Sequence, residues 1–333
     1  MEKRGQVMKK TSLLKVALLA SLVVLSSVSS AQVSYPSRPI RVVTGFATGG
    51  GTDTIARIFS DRISKELGQP VIVENRAGAS GQLGAELVAA APADGYTFLF
   101  APSSSLTLPY LRTTRYEIIR DFEPVGHVGV SGFVMVVRPR LPFKTLEEFM
   151  AAVKANPDKY TFGSAGVGSV GHLGLFLLKS RMGAEMVHVP FKSSTEVAQA
   201  LMSGQIDCAI DIVPIHKPYI DAKSIGAMAT TGIERDSTLP QLPTFNETKV
   251  VPGGYELTFW YAMFARKGTP APALQMARAA FATVMKQPSM QERVKGFGIV
   301  PSQLTPEQFQ VSIAAETELW RKIIKDNNIR LDN

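Results

Sequence analysis

The sequence predicts an α/β fold arranged as two lobes. Short β-type runs alternate with helical stretches from residue 40 to residue 212, the pattern of layered α/β structure with mainly parallel sheets. The chain has 333 residues, room for two units of ~100–150 residues each. Hydrophobic residues make up 45% and charged residues 19%, a balance that builds a core rather than a disordered chain.

Taken in order, the first element is a leader. Lys3, Arg4, Lys9, Lys10 and Lys15 give a positive start, residues 13–28 are apolar or small apart from Lys15, and Ser29-Ser30-Ala31 sets small residues before Gln32. This is the layout of a cleaved signal peptide over 1–31. The run is shorter than the ~20 residues that a spanning helix needs. No Cys follows it to carry a lipid anchor, and no later stretch is apolar enough to span. The leader holds half of the formal charge of +8, so the mature chain carries +4. Its basic residues are scattered, which argues against a phosphate-backbone face and hence against nucleic acid. The single Cys208 excludes an intrachain disulfide and reads as a small buried hydrophobe.

The mature chain opens with a strand over 40–44, a glycine-rich loop over 45–52, and a helix over 53–67 with Ile55, Ile58, Phe59, Ile63 and Leu67 at helical spacing. Gly68 closes that helix. A strand over 70–74, a helix over 81–91 and a strand over 96–101 follow. Strands over 133–137, 160–164, 186–191 and 206–212 then alternate with helices over 145–155, 171–182 and 194–203. The last third differs, with one strand over 259–265 and two amphipathic helices over 272–286 and 306–325. That strand returns the chain to the first lobe. The expected lobes are therefore 32–132 with 258–333, and 133–257, joined by short strands acting as a hinge. The sequence shows no internal repeat.

Three loops carry candidate chemistry, all at the carboxyl ends of strands, where open α/β sheets place ligands. In the first, Gly45-Phe46-Ala47-Thr48-Gly49-Gly50-Gly51-Thr52-Asp53, consecutive glycines let backbone N–H groups approach an anion at a helix start. The alternative is a tight turn capped by Thr52 or Asp53, and Asp53 reads mainly as such a helix-start residue. The second spans 163–172 and offers amides with Ser164, Ala165, Gly168, Ser169 and His172. It contains a GxGxxG spacing at Gly166, Gly168 and Gly171, but the following strand ends in Pro190-Phe191-Lys192 rather than in the acid that would hold a ribose. No cofactor is expected. A Ser169–His172 hydrolase is an alternative, weakened because Val167 stands where a nucleophile elbow needs Gly. The third is Ser103-Ser104-Ser105, either a ligand loop or a Ser-rich turn. Asp211, at another strand end, either faces the same cleft or caps a turn. His127, His188 and His216 lack metal-type spacing with one another or with Cys208, so no metal is expected.

The segments "YPSRPIRVVTGFATGGGTD", "VIVENRAGASGQLGAELVAAAPADGYTFLFAPSS", "FGSAGVGSVGHL", "VPFKSSTEVAQALMSGQID", "LPQLPTFNE", "FWYAMFARKGTPAPAL" and "GFGIVPSQLTPEQFQVSIAAETELWRKIIKDNNI", in this order, resemble the Bug family. These are extracytoplasmic solute-binding receptors of tripartite tricarboxylate transporters, and the resemblance covers nearly all of the mature chain. It implies a type II, Venus-flytrap periplasmic-binding-protein fold with the ligand in the cleft between lobes. It implies a monomeric, non-enzymatic periplasmic protein that binds a di- or tricarboxylate, an aromatic acid or an acidic amino acid for a membrane permease. A co-receptor feeding a sensor kinase is the second class. By resemblance, Phe46, Thr48, Gly49, Gly50 and Asp53 hold one carboxylate, the loop from Ser164 to His172 completes the site, and Lys192 falls in the segment usually written "PYKG". Departures bear on ligand choice: the prolines usual in the first loop are absent and Thr48 adds a hydroxyl, Phe191-Lys192-Ser193 replaces "YKG", and Leu175 and Phe176 stand where an acid often follows "HL".

Overall fold

In the computed structural model, which describes residues 35–331, the chain runs β1 (Ile40–Thr44), α1 (Gly51–Leu67), β2 (Val71–Asn75), α2 (Gln82–Ala90), β3 (Thr97–Pro102), α3 (Ser104–Leu111), α4 (Ile118–Asp121) and β4 (Phe122–Val137). It continues through α5 (Leu146–Ala155), β5 (Thr161–Ser164), α6 (Val170–Met182), β6 (Val187–Pro190), α7 (Ser194–Ser203), β7 (Cys208–Ile212), α8 (Val213–Asp221) and β8 (Gly226–Thr230). α9 (Phe245–Thr248), β9 (Thr258–Arg266), α10 (Ala271–Lys286), α11 (Pro288–Lys295), β10 (Val300–Pro301) and α12 (Pro306–Asp326) complete it. The expected leader, 1–31, and its cut before Gln32 lie outside the described residues. Arg38–Asn333 form one unit and Met1–Ser37 another, whose described residues include a cis Tyr35–Pro36 bond.

The strands order as β2-β1-β3-β9-β4-β7-β5-β6, with β8 and β10 also on β4. β4 is the spine. Its residues 122–132 pair with β9, and its residues 133–137 pair with β7 and β8. Two sheets thus share one continuous strand. Pairing is mixed rather than mainly parallel: β1, β2 and β3 run parallel, as do β5, β6 and β7, while every contact made by β4 and β9 is antiparallel. A strand entering from across the molecule, not from a helical crossover, carries no requirement to be parallel.

The period-2 alternation of each strand feeds two cores per sheet. In the first sheet Val42, Phe98, Phe100 and Met263 pack against Phe59 of α1 and Phe281 of α10. Their neighbours Val43, Leu99, Ala101 and Phe264 pack against α2 and against Phe309 and Ile313 of α12. In the second sheet Phe133, Met135 and Cys208 face one side and Val134, Val136 and Ala209 the other. Trp320, Ile323 and Ile324, late in α12, join the Phe133 side, so this 21-residue helix touches the cores of both sheets. Cys208 is fully buried beside the Met186 sulfur at 3.7 Å. Among the described residues no helix is long and apolar enough to cross a membrane.

The chain passes between the sheets at Gly132–Phe133 and at Leu257–Thr258, and one side chain joins the crossings. The Thr231 hydroxyl donates to the Leu257 carbonyl at 2.5 Å and accepts from the Phe133 N–H at 2.8 Å. Thr231 is wholly buried.

Candidate functional site

The first glycine loop leaves β1 and enters α1 at Gly51, two residues earlier than the sequence pattern placed the helix start. The N-cap is Gly50, which has no side chain to satisfy the first-turn amides. Those amides have no intrahelical acceptor, and they carry the partial positive charge of the helix start. Thr48, Gly49 and Gly50 are exposed and Phe46 is half-buried. Asp53 does not share that openness. It is 1% exposed, and its carboxylate accepts from Gly49 N at 2.8 Å, Asn75 Nδ2 at 2.8 Å and Arg57 Nε at 3.0 Å. Burial alone raises its pKa, but Arg57, Gly49 and Asn75 outweigh this and hold it below the usual aspartate range. Asp53 therefore shapes the loop and is already saturated with donors.

A second segment walls this loop. A Cβ on Gly45 would lie 2.2 Å from the Gly81 carbonyl oxygen, and one on Gly81 would lie 2.8 Å from the Phe46 ring. Ser80, at φ 57° and ψ 33°, holds a left-handed conformation that non-glycine residues seldom adopt. Such outliers concentrate at functional sites. From β9, the Tyr261 hydroxyl pairs with Thr52 and sits 3.1 Å from a Cβ position on Gly51. Burial pushes the Tyr261 pKa up to about 12, Thr52 opposing, so the phenol keeps its proton at neutral pH.

The serine run is not a turn: Ser104 begins α3. Ser103 N–H donates to the Trp260 carbonyl at 2.9 Å, while its hydroxyl is buried without a protein partner. The Thr44 hydroxyl, at the end of β1, is likewise unpartnered. Two orphaned hydroxyls at neighbouring strand ends are an unmet demand that a polar ligand or ordered water can satisfy.

In the second loop, Ser169 caps α6 by accepting from the His172 backbone N–H at 3.3 Å. The His172 ring turns elsewhere. Its Nδ1 accepts from Gly168 N–H at 3.0 Å, and the ring stacks on His188 at 3.9 Å. Burial, then His188, lowers its pKa to about 4, so the imidazole is neutral with its proton on Nε2. The nucleophile–base hydrogen bond of a hydrolase is not what this pair makes. Ser164 Oγ lies 2.7 Å from His188 Nε2 and 3.0 Å from the Gly166 carbonyl, and Ala165 is half-buried beside it. Lys192 is exposed, and its backbone N–H donates to Glu196. Asp211 ties the end of β7 to the start of α7: Oδ1 accepts from Ser194 Oγ and Ile212 N–H, both at 2.8 Å, and Oδ2 approaches His216 Nε2 at 3.2 Å without an aligned hydrogen bond.

The fourteen candidates therefore form two groups. Phe46, Thr48, Gly49, Gly50, Asp53, Ser103 and Ser104 gather around the start of α1 and the end of β3. Ser164, Ala165, Gly168, Ser169, His172, Lys192 and Asp211 gather at the ends of β5 and β7. The groups meet through α3, which begins at Ser104 and ends at Leu111, 2.9 Å from a Cβ position on Gly168. Eight residues of helix span about 12 Å. Sequence reasoning missed Thr44, Ser80 and Tyr261. Only Ser80, in its Gly-flanked run, left a local signal.

A cavity of about 600 Å³ is lined by His127, Trp260, Glu256 and Glu316 among others. None of the fourteen candidates lines it. Size alone does not make it the anion site: its two carboxyl groups disfavour a carboxylate, whereas the start of α1 offers the uncapped amides of its first turn and the orphaned Ser103 and Thr44 hydroxyls, the Gly49, Gly50, Gly168 and Ser169 N–H groups being already donated within their own loops.

Comparison with known proteins places these features in context. Residues 55–329 match the profile described as the tripartite tricarboxylate transporter family receptor, TctC. The protein BugT of Bordetella pertussis is 31% identical over 304 residues, covering 90% of this chain and 92% of BugT. Among solved structures, R. palustris Rpa4515 with adipate is 32% identical with a TM-score of 0.72, covering 89% of this chain and 99% of that one. MatC from Rhodopseudomonas palustris with bound malate is 30% identical with a TM-score of 0.69, covering 87% and 100%.

Proposed function

Because the chain belongs to the tripartite tricarboxylate transporter receptor family, a family of periplasmic solute-binding proteins, we propose that it captures a small organic carboxylate between its two sheets and delivers it to membrane permease subunits. The observation that carries this reading is the start of α1: a glycine loop whose amides lack a side-chain cap, beside the orphaned Ser103 and Thr44 hydroxyls. An anion there gains several oriented donors at once, and closure over it strengthens each by excluding water.

The remaining parts of the reading follow the same logic. Residues 1–31 direct export and are removed. Residues 32–132 with 258–333, and 133–257, are the two lobes, with the second loop brought over the ligand from its lobe. The protein works as a monomer and performs no chemistry on its ligand, in keeping with Ser169 serving as a helix cap and His172 as a loop strut. The adipate and malate bound by two relatives support a dicarboxylate as the first class to test.

The test is a thermal-shift panel of aliphatic, aromatic and amino-acid carboxylates on the purified 32–333 chain. A carboxylate at a hundredfold excess over its Kd stabilises by ~2.7 kcal/mol, a clear rise in melting temperature. A panel in which only sugars or metal ions raise it overturns the proposal.

A further inference from the structure

The 600 Å³ cavity lies on the face of the first sheet opposite to the first glycine loop. Successive residues of a strand point to opposite faces. In β9, Tyr261 meets Thr52 and the start of α1, while Trp260 points the other way, into the cavity between β4, α12 and the 246–256 segment. Trp260, Trp320 and Phe309 supply an aromatic lining.

Within this lining, Glu316 is held in place. Its Oε2 accepts from Trp260 Nε1 at 2.8 Å and its Oε1 from Trp320 Nε1 at 3.1 Å, so one indole from β9 and one from α12 fix the carboxylate. Glu256 lines the same space. Burial raises the pKa of both groups, and Glu256 adds to the rise at Glu316. Neither makes an ion pair among the described residues. Arg181, also on the lining, donates instead to the Gly253 and Gly254 carbonyls. The two carboxyl groups thus lack an ion-pair partner, and Glu316 is met only by the two indole N–H groups, so a positive group between them lowers the cost of keeping their charge in the crevice.

An independent observation points to a ligand. His127 is 5% exposed and lines the cavity. Its Nδ1 lies 2.7 Å from Ser302 Oγ, and its Nε2 has no aligned protein partner. Burial lowers its pKa to about 4, with the Gly129 carbonyl opposing, so the ring is neutral and adds no positive charge that would repel a cation.

We propose that this crevice is a second binding site, separate from the carboxylate loops, which takes an organic ammonium ion bearing a hydroxyl: the cation sits between Glu256 and Glu316 against the Trp260 and Trp320 indoles, behind which Phe309 stacks on His127, and the hydroxyl meets His127 Nε2. Aromatic faces attract ammonium groups more strongly once both are desolvated, and the carboxylates add full charge to that attraction.

Choline is the probe, with its neutral isostere 3,3-dimethylbutan-1-ol as control, titrated calorimetrically into the 32–333 chain with and without adipate. The expected result is saturable choline binding that adipate does not displace, at least tenfold weaker binding of the neutral isostere, and about tenfold loss in Glu256→Gln. Glu256 is exposed enough for that variant to fold, and Glu316→Gln provides the second measurement. Absence of choline binding at millimolar concentration, equal binding of the isostere, unchanged affinity in Glu256→Gln, or displacement of choline by adipate each overturns the proposal. Adipate titrated alone reads the glycine-loop site independently, so failure at one site is distinguishable from failure at the other.

Discussion

Ser103 separates ligand binding from folding at the level of a single atom. Its hydroxyl is buried and unpartnered without ligand, so Ser103→Ala removes a group whose desolvation is uncompensated. The unliganded variant should melt at or slightly above the parent temperature, and its carboxylate Kd should rise roughly ten- to hundredfold, since one hydrogen bond to a charged acceptor contributes ~1.5–3 kcal/mol. Calorimetry on the same sample reads both quantities. Asp53 behaves in the opposite way. Asp53→Asn should destabilise the unliganded protein by about 1–3 kcal/mol at pH 7, because Gly49 and Arg57 lose a charged acceptor. The Asp53 pKa is depressed in the fold, so its stabilisation is present above the ordinary aspartate pKa and is lost as the pH falls through the folded value. Urea melts from pH 7 down to pH 3 should show the gap between parent and variant closing at the acid end. A constant gap would mean that the charge of Asp53 is not what matters.

Among the elements, glycines decide where helices and strands approach. A Cβ on Gly84 of α2 would lie 2.6 Å from Gly45 Cα and N. Neither neighbour is a flexible side chain, so Gly84→Ala should push α2 away from β1, destabilise by about 1–3 kcal/mol, and weaken carboxylate binding through the displaced loop. Denaturant melts and one titration check this. The same steric logic explains what the sequence concealed. Glu123 to Gly132 carries Pro124, Gly126, Gly129 and Gly132, a composition that reads against a strand, yet it is the larger part of β4. The irregularities fall where the register shifts, between Pro124 and Gly126 and between His127 and Gly129. There the missing side chains admit Phe281 and the Val300 carbonyl. α3 was hidden by its serines and by Pro109. The Ser105 carbonyl, which Pro109 cannot satisfy, accepts from the Tyr116 hydroxyl at 3.1 Å, a tertiary rescue with no local trace. By contrast α7, bounded by the Ser193 cap and by Gly204, was legible to the residue because its punctuation is local. The glycine loops were legible for the same reason, whereas Tyr261 reaches the start of α1 only through sheet pairing.

At the scale of the molecule, the proposed closure of the lobes would pass through the two crossings that Thr231 ties together. Thr231→Val leaves the Phe133 N–H and the Leu257 carbonyl without this partner. It should destabilise by about 1–3 kcal/mol and broaden the range of lobe angles, read by small-angle X-ray scattering as a larger radius of gyration without ligand and a larger contraction with it. An unchanged contraction would remove Thr231 from the hinge. Cys208 completes the picture from inside the second sheet. It is the chain's one sulfhydryl, it is wholly buried, and burial holds its pKa well above the ordinary thiol value. A maleimide or disulfide reagent therefore has nothing to attack until the β5–β7 region separates, and the native protein carries a built-in reporter whose modification rate follows the opening of that sheet from its native packing, with no engineered label.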